Sequence, residues 1–193
     1  MGRRLNRYKN DLDYQSVIIP HSSGEEDRII YLSSDMTEYS VSNVIQQLFS
    51  LSKRDPKKPI HLVVSSYGGE IDSMFSLYDA MKFISCPVLT VGLGKIMSAS
   101  VLILAAGQKN KRLIGSNARV MIHPIWGGSS GNVFEQRNEQ KEMERLQEQM
   151  DKLLAKETGQ SYKEIQKLMS KGHDFYLTAE DAIKIGIADK TIG

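Results

Sequence analysis

The sequence predicts an α/β fold built on parallel strands, and three observations carry that prediction. Three rounds of a short apolar run followed by a helically spaced one succeed each other between Arg28 and Gly107. Each round is punctuated by a Gly- or Pro-bearing loop: Asp55-Pro56-Lys57-Lys58-Pro59, Gly68-Gly69 and Gly94. Strand-then-helix repeats of this kind place the strands parallel and join them by right-handed crossovers. The stretch from Val133 to Thr158 stands apart: it contains no Gly or Pro and is rich in Glu, Gln and Lys. It reads as one long helix of about 39 Å.

Residues 1–27 are polar, carry Pro20 and Ser22-Ser23-Gly24, and show no sustained period beyond Val17-Ile18-Ile19; they read as an arm ordered mainly by partners. Residues 28–193 then form a single domain. Ile29-Ile30-Tyr31-Leu32 is the first strand, and Val41, Val44, Ile45, Leu48 and Phe49 mark a helix that Thr37 or Ser40 caps. Ile60 to Val64 is the second strand, and Ile71, Met74, Phe75, Tyr78, Met81 and Ile84 outline its helix. Pro87 to Val91 is the third strand. Val101 to Ala106 is too long and too rich in Ala and Leu for another strand, so it reads as a buried helix ending at Gly107. Two short strands follow, Lys111 to Ile114 and Arg119 to Ile122, with Gly115-Ser116-Asn117 as the turn between them.

In the long helix Met143, Leu146, Met150 and Leu153 recur at steps of three and four. That is the narrow seam of a helix pairing with one partner surface, and the polar first half implies protrusion. Gly159 ends it, Ser161 opens a shorter helix with Ile165, Leu168 and Met169, and Thr178 caps the last helix, which Gly186 terminates.

Bulk properties exclude several classes. A chain of 193 residues with 40% hydrophobic and 25% charged residues has the composition of an ordinary globular protein. A net charge of +2 argues against a dedicated nucleic-acid binder, which carries a basic stripe. The single Cys86 cannot form an internal disulfide and reads as a small buried hydrophobe. No apolar run reaches the roughly 18 residues of a membrane span, and the charged N-terminus lacks the apolar region of a secretory signal. A soluble, cytoplasmic protein with neither metal nor membrane is expected.

The chemistry centres on Ser98. It lies where the third strand hands over to its helix, in Gly94-Lys95-Ile96-Met97-Ser98-Ala99-Ser100, beside free N–H groups and the positive end of a helix dipole. A hydroxyl there can attack a carbonyl, because the oxyanion forms next to ready-made donors. On this segment alone a helix cap is the more economical role, and Ser100 is a rival for either. A base is also needed. Among the four histidines, His123 at the end of a strand ranks first, His61 remains open, His21 lies in the arm, and His173 precedes Asp174 in a loop.

Four motifs then occur in order: SSYGGEID at 65–72, GKIMSAS around Ser98, RVMIHP at 119–124 and DFYLTAEDA at 174–182. Their order and spacing resemble the proteolytic subunit of the ATP-dependent Clp protease, from about Arg28 to the C-terminus. The resemblance implies a crotonase-type fold of strand–helix units with a protruding handle helix. It implies Ser98 as nucleophile, His123 as general base and Asp174 as the acid that fixes the imidazole tautomer. Gly69 and Ala99 would supply the oxyanion N–H groups. Gly68, Ile71 and the Gly127-Gly128 stretch that leads into the handle would border the substrate.

Further implications concern assembly: two stacked seven-membered rings, fed with unfolded proteins by a hexameric AAA+ ATPase. ATP would belong to that partner, since nothing here reads as a P-loop, and this subunit would need no cofactor. The family usually places Arg before the catalytic Asp, paired with an acid on the opposite ring; here His173 and Glu135 take those positions, and Met143, Leu146 and Met150 would line the ring contact. The departures from the family pattern are Tyr67 in place of proline, Lys95-Ile96-Met97 in place of small residues, and Pro124 directly after His123. All bear on the shape of the specificity pocket. Two rivals compete: a catalytically idle ring subunit, and an acyl-CoA enzyme of the crotonase type that uses an oxyanion hole without a triad.

Overall fold

The computed structural model describes residues 28–170 and 172–192; the arm at 1–27 lies outside the described residues. Its spine is a mixed sheet of seven strands. The strands are β1 (Ile29–Leu32), β2 (Ile60–Ser66), β3 (Val88–Met97), β4 (Leu113–Gly115), β5 (Arg119–Ile122), β6 (Phe175–Leu177) and β7 (Lys190–Ile192). Five run parallel in the order β1-β2-β3-β4-β7. The helices are α1 (Glu38–Arg54), α2 (Ile71–Phe83), α3 (Ala99–Ala105), α4 (Val133–Thr158), α5 (Tyr162–Met169) and α6 (Ala179–Ile185). The α/β class and the parallel crossovers are as the sequence predicts.

Strand β3 differs from expectation. It does not stop at Val91 but continues to Met97, changing partner on the way. Val91 and Gly92 pair with Leu113 and Ile114 of β4, whereas Lys95, Ile96 and Met97 pair in parallel with Arg119, Val120 and Met121 of β5. Between the two halves lies Gly94 at φ +65°, a backbone setting that glycine reaches without a Cβ penalty. The strand therefore bends and sends its last residues onto a branch of the same sheet, where β5 pairs antiparallel with β6. Ser98 follows at once.

Helix α3 is the centre of the core: all seven of its residues are buried, which is why its sequence carries no polar face. Helix α1 starts in a capping box. The Thr37 hydroxyl accepts from Ser40 N–H at 3.2 Å, and the Ser40 hydroxyl accepts from Thr37 N–H at 3.0 Å. The same device opens α4 through Asn132 and Glu135 and α5 through Ser161 and Glu164, satisfying N–H groups that a helix start leaves without partners.

The long helix occupies the predicted span, 133–158, but its seam requires correction. Met150 is 4% exposed and belongs, with Leu154 and Ala155, to the main core cluster of its own chain. It is not a surface residue awaiting another ring. Leu153 packs half-buried on the same cluster, Leu146 is half-buried, and residues 133–142 are exposed. Steps of three and four do not distinguish a coiled-coil seam from the lower half of a helix lying on its own domain; only the exposed first half of α4 stands away from the core. Consequently Met150→Glu should unfold the protein rather than split an assembly. A carboxylate in an apolar core, together with the lost packing, should cost roughly 3 kcal/mol or more, read as a lower Tm. A variant with unchanged Tm and halved particle mass would return Met150 to a subunit contact.

No helix among the described residues is long and apolar enough to cross a membrane.

Candidate active site

Ser98 sits at φ 54°, ψ −128°, one of two non-glycine residues with positive φ among those described. Such a conformation costs on the order of 1–3 kcal/mol and persists only where surrounding contacts enforce it. Here they do. Ser98 N–H donates to the Met121 carbonyl at 2.8 Å, and the Ser98 carbonyl accepts from Val101 N–H at 3.0 Å. The turn throws the Ser98 side chain out of the cap position: it makes no capping hydrogen bond to α3. Its Oγ lies instead 2.8 Å from Nε2 of His123. The rival Ser100 is fully buried and committed to structure, accepting from Met97 N–H at 2.9 Å while its hydroxyl reaches the carbonyls of Met97 (2.8 Å) and Ser66 (3.1 Å). The cap reading of Ser98 and the nucleophile reading of Ser100 both fail on these contacts.

His123 is the residue after β5, so the strand pairing that anchors Ser98 N–H also places the imidazole. With the proton on Nδ1, Nε2 accepts from the Ser98 hydroxyl, the orientation a general base requires. His61 is excluded geometrically. It lies at the other end of β2 from Gly68, between Ile29 and Leu89, and burial pushes its imidazole pKa down. Asp174 precedes β6. The antiparallel register pairs Ile122 with Phe175 and Met121 with Tyr176, and continuing it one step sets position 174 opposite position 123. Directly opposed positions share a face of the sheet. Asp174 is exposed and, among the described residues, makes no hydrogen bond to His123. The structure thus shows a bonded Ser98–His123 pair with Asp174 stationed beside it.

Two backbone donors flank Ser98. Gly68 (φ +96°) presses on the elbow so closely that a Cβ there would meet the Met97 oxygen and the Ser98 Cβ, each at 2.7 Å, and the Ala99 nitrogen at 2.9 Å. Its N–H is held by the Ser66 hydroxyl at 3.1 Å, which in turn donates to the Ser34 carbonyl at 2.7 Å. Gly69 (φ +148°) forms a parallel bridge with Met36. The flanking groups are used up, since Met36 N–H donates to the Gly68 carbonyl and Glu70 N–H to the Met36 carbonyl. The N–H groups of Gly69 and of Ala99, the first residue of α3, have no acceptor among the described residues. Uncommitted donors beside a serine–histidine pair are the arrangement that stabilises an acyl-transfer oxyanion.

The chain after His123 borders a groove of about 850 Å³ against α4, whose lining includes Ile125, Gly127, Gly128, Met143, Gln147 and Asp151. A Cβ on Gly127 would lie 3.3 Å from Cε of Met143, while Gly128 faces open space. Met143 therefore contacts its own chain's loop. Ile71, the first residue of α2, packs half-buried on the core. Glu135 closes the cap of α4, its Oε2 accepting from Asn132 N–H at 2.8 Å, and His173 is exposed.

Sequence reasoning passed over Ser66, Met121 and Gln147. Ser66 and Met121 act through contacts to distant backbone, which no local pattern reveals. Gln147, whose Oε1 accepts from Ile125 N–H at 2.6 Å, lies in a Glu/Gln-rich helix among residues that look solvent-facing. The sequence profile of the family described as Clp protease matches residues 16–193. The match begins twelve residues before Arg28, so it reaches into the stretch read as an unmatched arm. By that match across most of its length, the chain belongs to the Clp protease family, a family of peptidases.

Proposed function

We propose that this chain is the serine endopeptidase subunit of a self-compartmentalised ring protease. The observation that carries the reading is the 2.8 Å contact between Ser98 Oγ and His123 Nε2, set beside two uncommitted N–H donors. In the mechanism, His123 Nε2 takes the hydroxyl proton as Ser98 Oγ attacks the scissile carbonyl. The tetrahedral oxyanion accepts from the N–H groups of Gly69 and Ala99. The imidazolium then protonates the leaving amine, and a water activated by the same His123 hydrolyses the acyl-serine. Asp174, at the adjoining strand end, favours the neutral Nδ1–H tautomer that leaves Nε2 free to accept, and offsets the charge of the imidazolium that forms once Nε2 has taken the proton.

The same reading includes the assembly. Two stacked heptameric rings enclose the sites, and a hexameric AAA+ ATPase delivers unfolded proteins in the cytoplasm; short peptides are cleaved without it. Gly68, Ile71, Gly127 and Gly128 border the peptide. The exposed first half of α4, with Glu135, Met143, Leu146 and His173 near the ring contact, is the surface available for stacking.

A serine-directed fluorophosphonate tests the chemistry. One covalent adduct on Ser98, located by peptide mass mapping and absent in Ser98→Ala, is expected. An idle subunit or an acyl-CoA enzyme of the crotonase type would stay unlabelled.

A further inference from the structure

The groove beside the post-histidine loop contains a carboxylate that the catalytic reading leaves unused. Asp151 of α4 is 3% exposed and lines the groove. Its Oδ1 accepts from Gln147 Nε2 at 2.7 Å, and its Oδ2 takes no hydrogen bond among the described residues. Every buried side-chain oxygen among those residues has a partner. Oδ2 is therefore not sealed in the core, and the groove is free space that Asp151 borders. Burial pushes the carboxyl pKa up, against the pull of the Gln147 hydrogen bond. No cation pairs with Asp151 among the described residues.

The rest of the lining fits a long cationic side chain. Glu144 and Glu148 face the same space, against Arg137 as the only lysine or arginine of the lining among the described residues. Glu148 is bridged to Lys152 at 2.6 Å, whereas Glu144 and Asp151 each accept a single amide hydrogen bond, from Gln140 and Gln147; of these two, Asp151 is the buried one and Glu144 is exposed. Ile125, Met143 and Tyr162 supply apolar wall, which suits the alkyl stem of a lysine or arginine. Gln147 holds Ile125 N–H with one end of its amide and Asp151 with the other. The carboxylate is thereby fixed to the loop that leaves His123.

We infer that this groove takes a lysine or arginine side chain of the peptide being cut, with the Asp151 carboxylate as its partner. The inference rests on the peptidase reading of Ser98 for the peptide's presence. An apolar side chain in the groove would leave a desolvated carboxylate unpaired, and an acidic one would add repulsion. Sites with a buried polar group discriminate most strongly against ligands that leave it unmatched.

The test uses the full-length assembled protein and a fluorogenic peptide series in which each of the three positions on either side of the cleaved bond carries Arg, norleucine or Glu in turn. At one position, Arg should exceed norleucine by about tenfold or more in kcat/KM, with Glu poorest. Asp151→Asn, which keeps the side-chain shape, should collapse the Arg-to-norleucine ratio toward unity. A second readout needs no hydrolysis: fluorescence anisotropy of the labelled Arg and norleucine peptides on Ser98→Ala, with and without Asp151→Asn, should show the same preference and the same loss. Equal or inverted preference in both readouts, or a ratio unchanged by Asp151→Asn, overturns the assignment. If binding prefers Arg through Asp151 while no peptide is cut and fluorophosphonate leaves Ser98 unmodified, the peptidase reading fails and the groove assignment stands.

Discussion

Ser98→Ala should lower hydrolysis of a small fluorogenic peptide by about 10⁶-fold while leaving the mass of the assembly and its Tm nearly unchanged. The expected size follows from what is lost. Ser98 Oγ is the hydroxyl in contact with His123 Nε2, and the oxyanion donors alone cannot form an acyl intermediate. The expected stability follows from what is kept. The elbow is held by backbone bonds from Ser98 N–H to Met121 and from Val101 N–H to Ser98, and alanine retains both. Ser100→Ala supplies the contrast. It removes an acceptor for Met97 N–H and a donor to the Met97 and Ser66 carbonyls, so it should lower stability along with activity. Retained activity in Ser98→Ala with complete loss in a folded Ser100→Ala would reverse the assignment of the nucleophile.

How far the site could be read in advance depended on the range of the interactions. Caps and helix ends were legible because their chemistry is local. Thr37, Ser161, Thr178, Gly159 and Gly186 all act within a few residues of themselves. The parallel sheet was legible because three strand–helix rounds leave few alternatives. Three residues cannot display a period: β4 was legible only approximately, at Lys111 to Ile114, and β6 and β7, equally short, were not legible at all. The extension of β3 to Met97 was hidden for another reason: Gly92 and Gly94 interrupt its pattern, and it is a strand because β5 pairs with it.

The residues of the site divide along the same line. Ser98 and His123 stood out by their places at the ends of strands, but choosing His123 over His61 required the order of the four motifs, and the structure adds the 2.8 Å contact. Met150 was misread because a periodic apolar stripe says that a face is covered, not by what. Asp151, one residue further along α4, is buried yet sits in a run of Gln, Glu and Lys where every charged residue resembles solvated surface. Beside it lie the loop after His123, tied to α4 by the Ile125 N–H bond to Gln147, and α5, whose Tyr162 and Gln166 border the same groove. Contacts between segments so far apart leave no mark in a single sequence.

Gly68→Ala should cost about 10²–10³-fold in kcat/KM for the same peptide without removing any catalytic group. The added methyl would arrive at 2.7 Å from the Met97 oxygen, 2.7 Å from the Ser98 Cβ and 2.9 Å from the Ala99 nitrogen. Two of the three are backbone atoms in a strand end and a helix start, so no flexible side-chain tip is available to move aside. The φ of +96° at Gly68 adds strain for any residue bearing a Cβ. Relief comes only by separating the Gly68–Gly69 turn from the elbow, which widens the gap between the Gly69 N–H and the Ala99 N–H. Loss of one oxyanion donor is worth about 10²–10³ in rate, and a displacement of about 1 Å at a reacting centre has a similar effect. Ser98 N–H is anchored to the Met121 carbonyl of β5, which should hold the Ser98–His123 contact while the turn moves away. Fluorophosphonate labelling of Ser98 in the variant should therefore persist at a reduced rate while peptide turnover falls much further. Turnover equal to wild type in a Gly68→Ala protein of normal Tm would show that the turn yields freely, and would remove Gly69 from the oxyanion site.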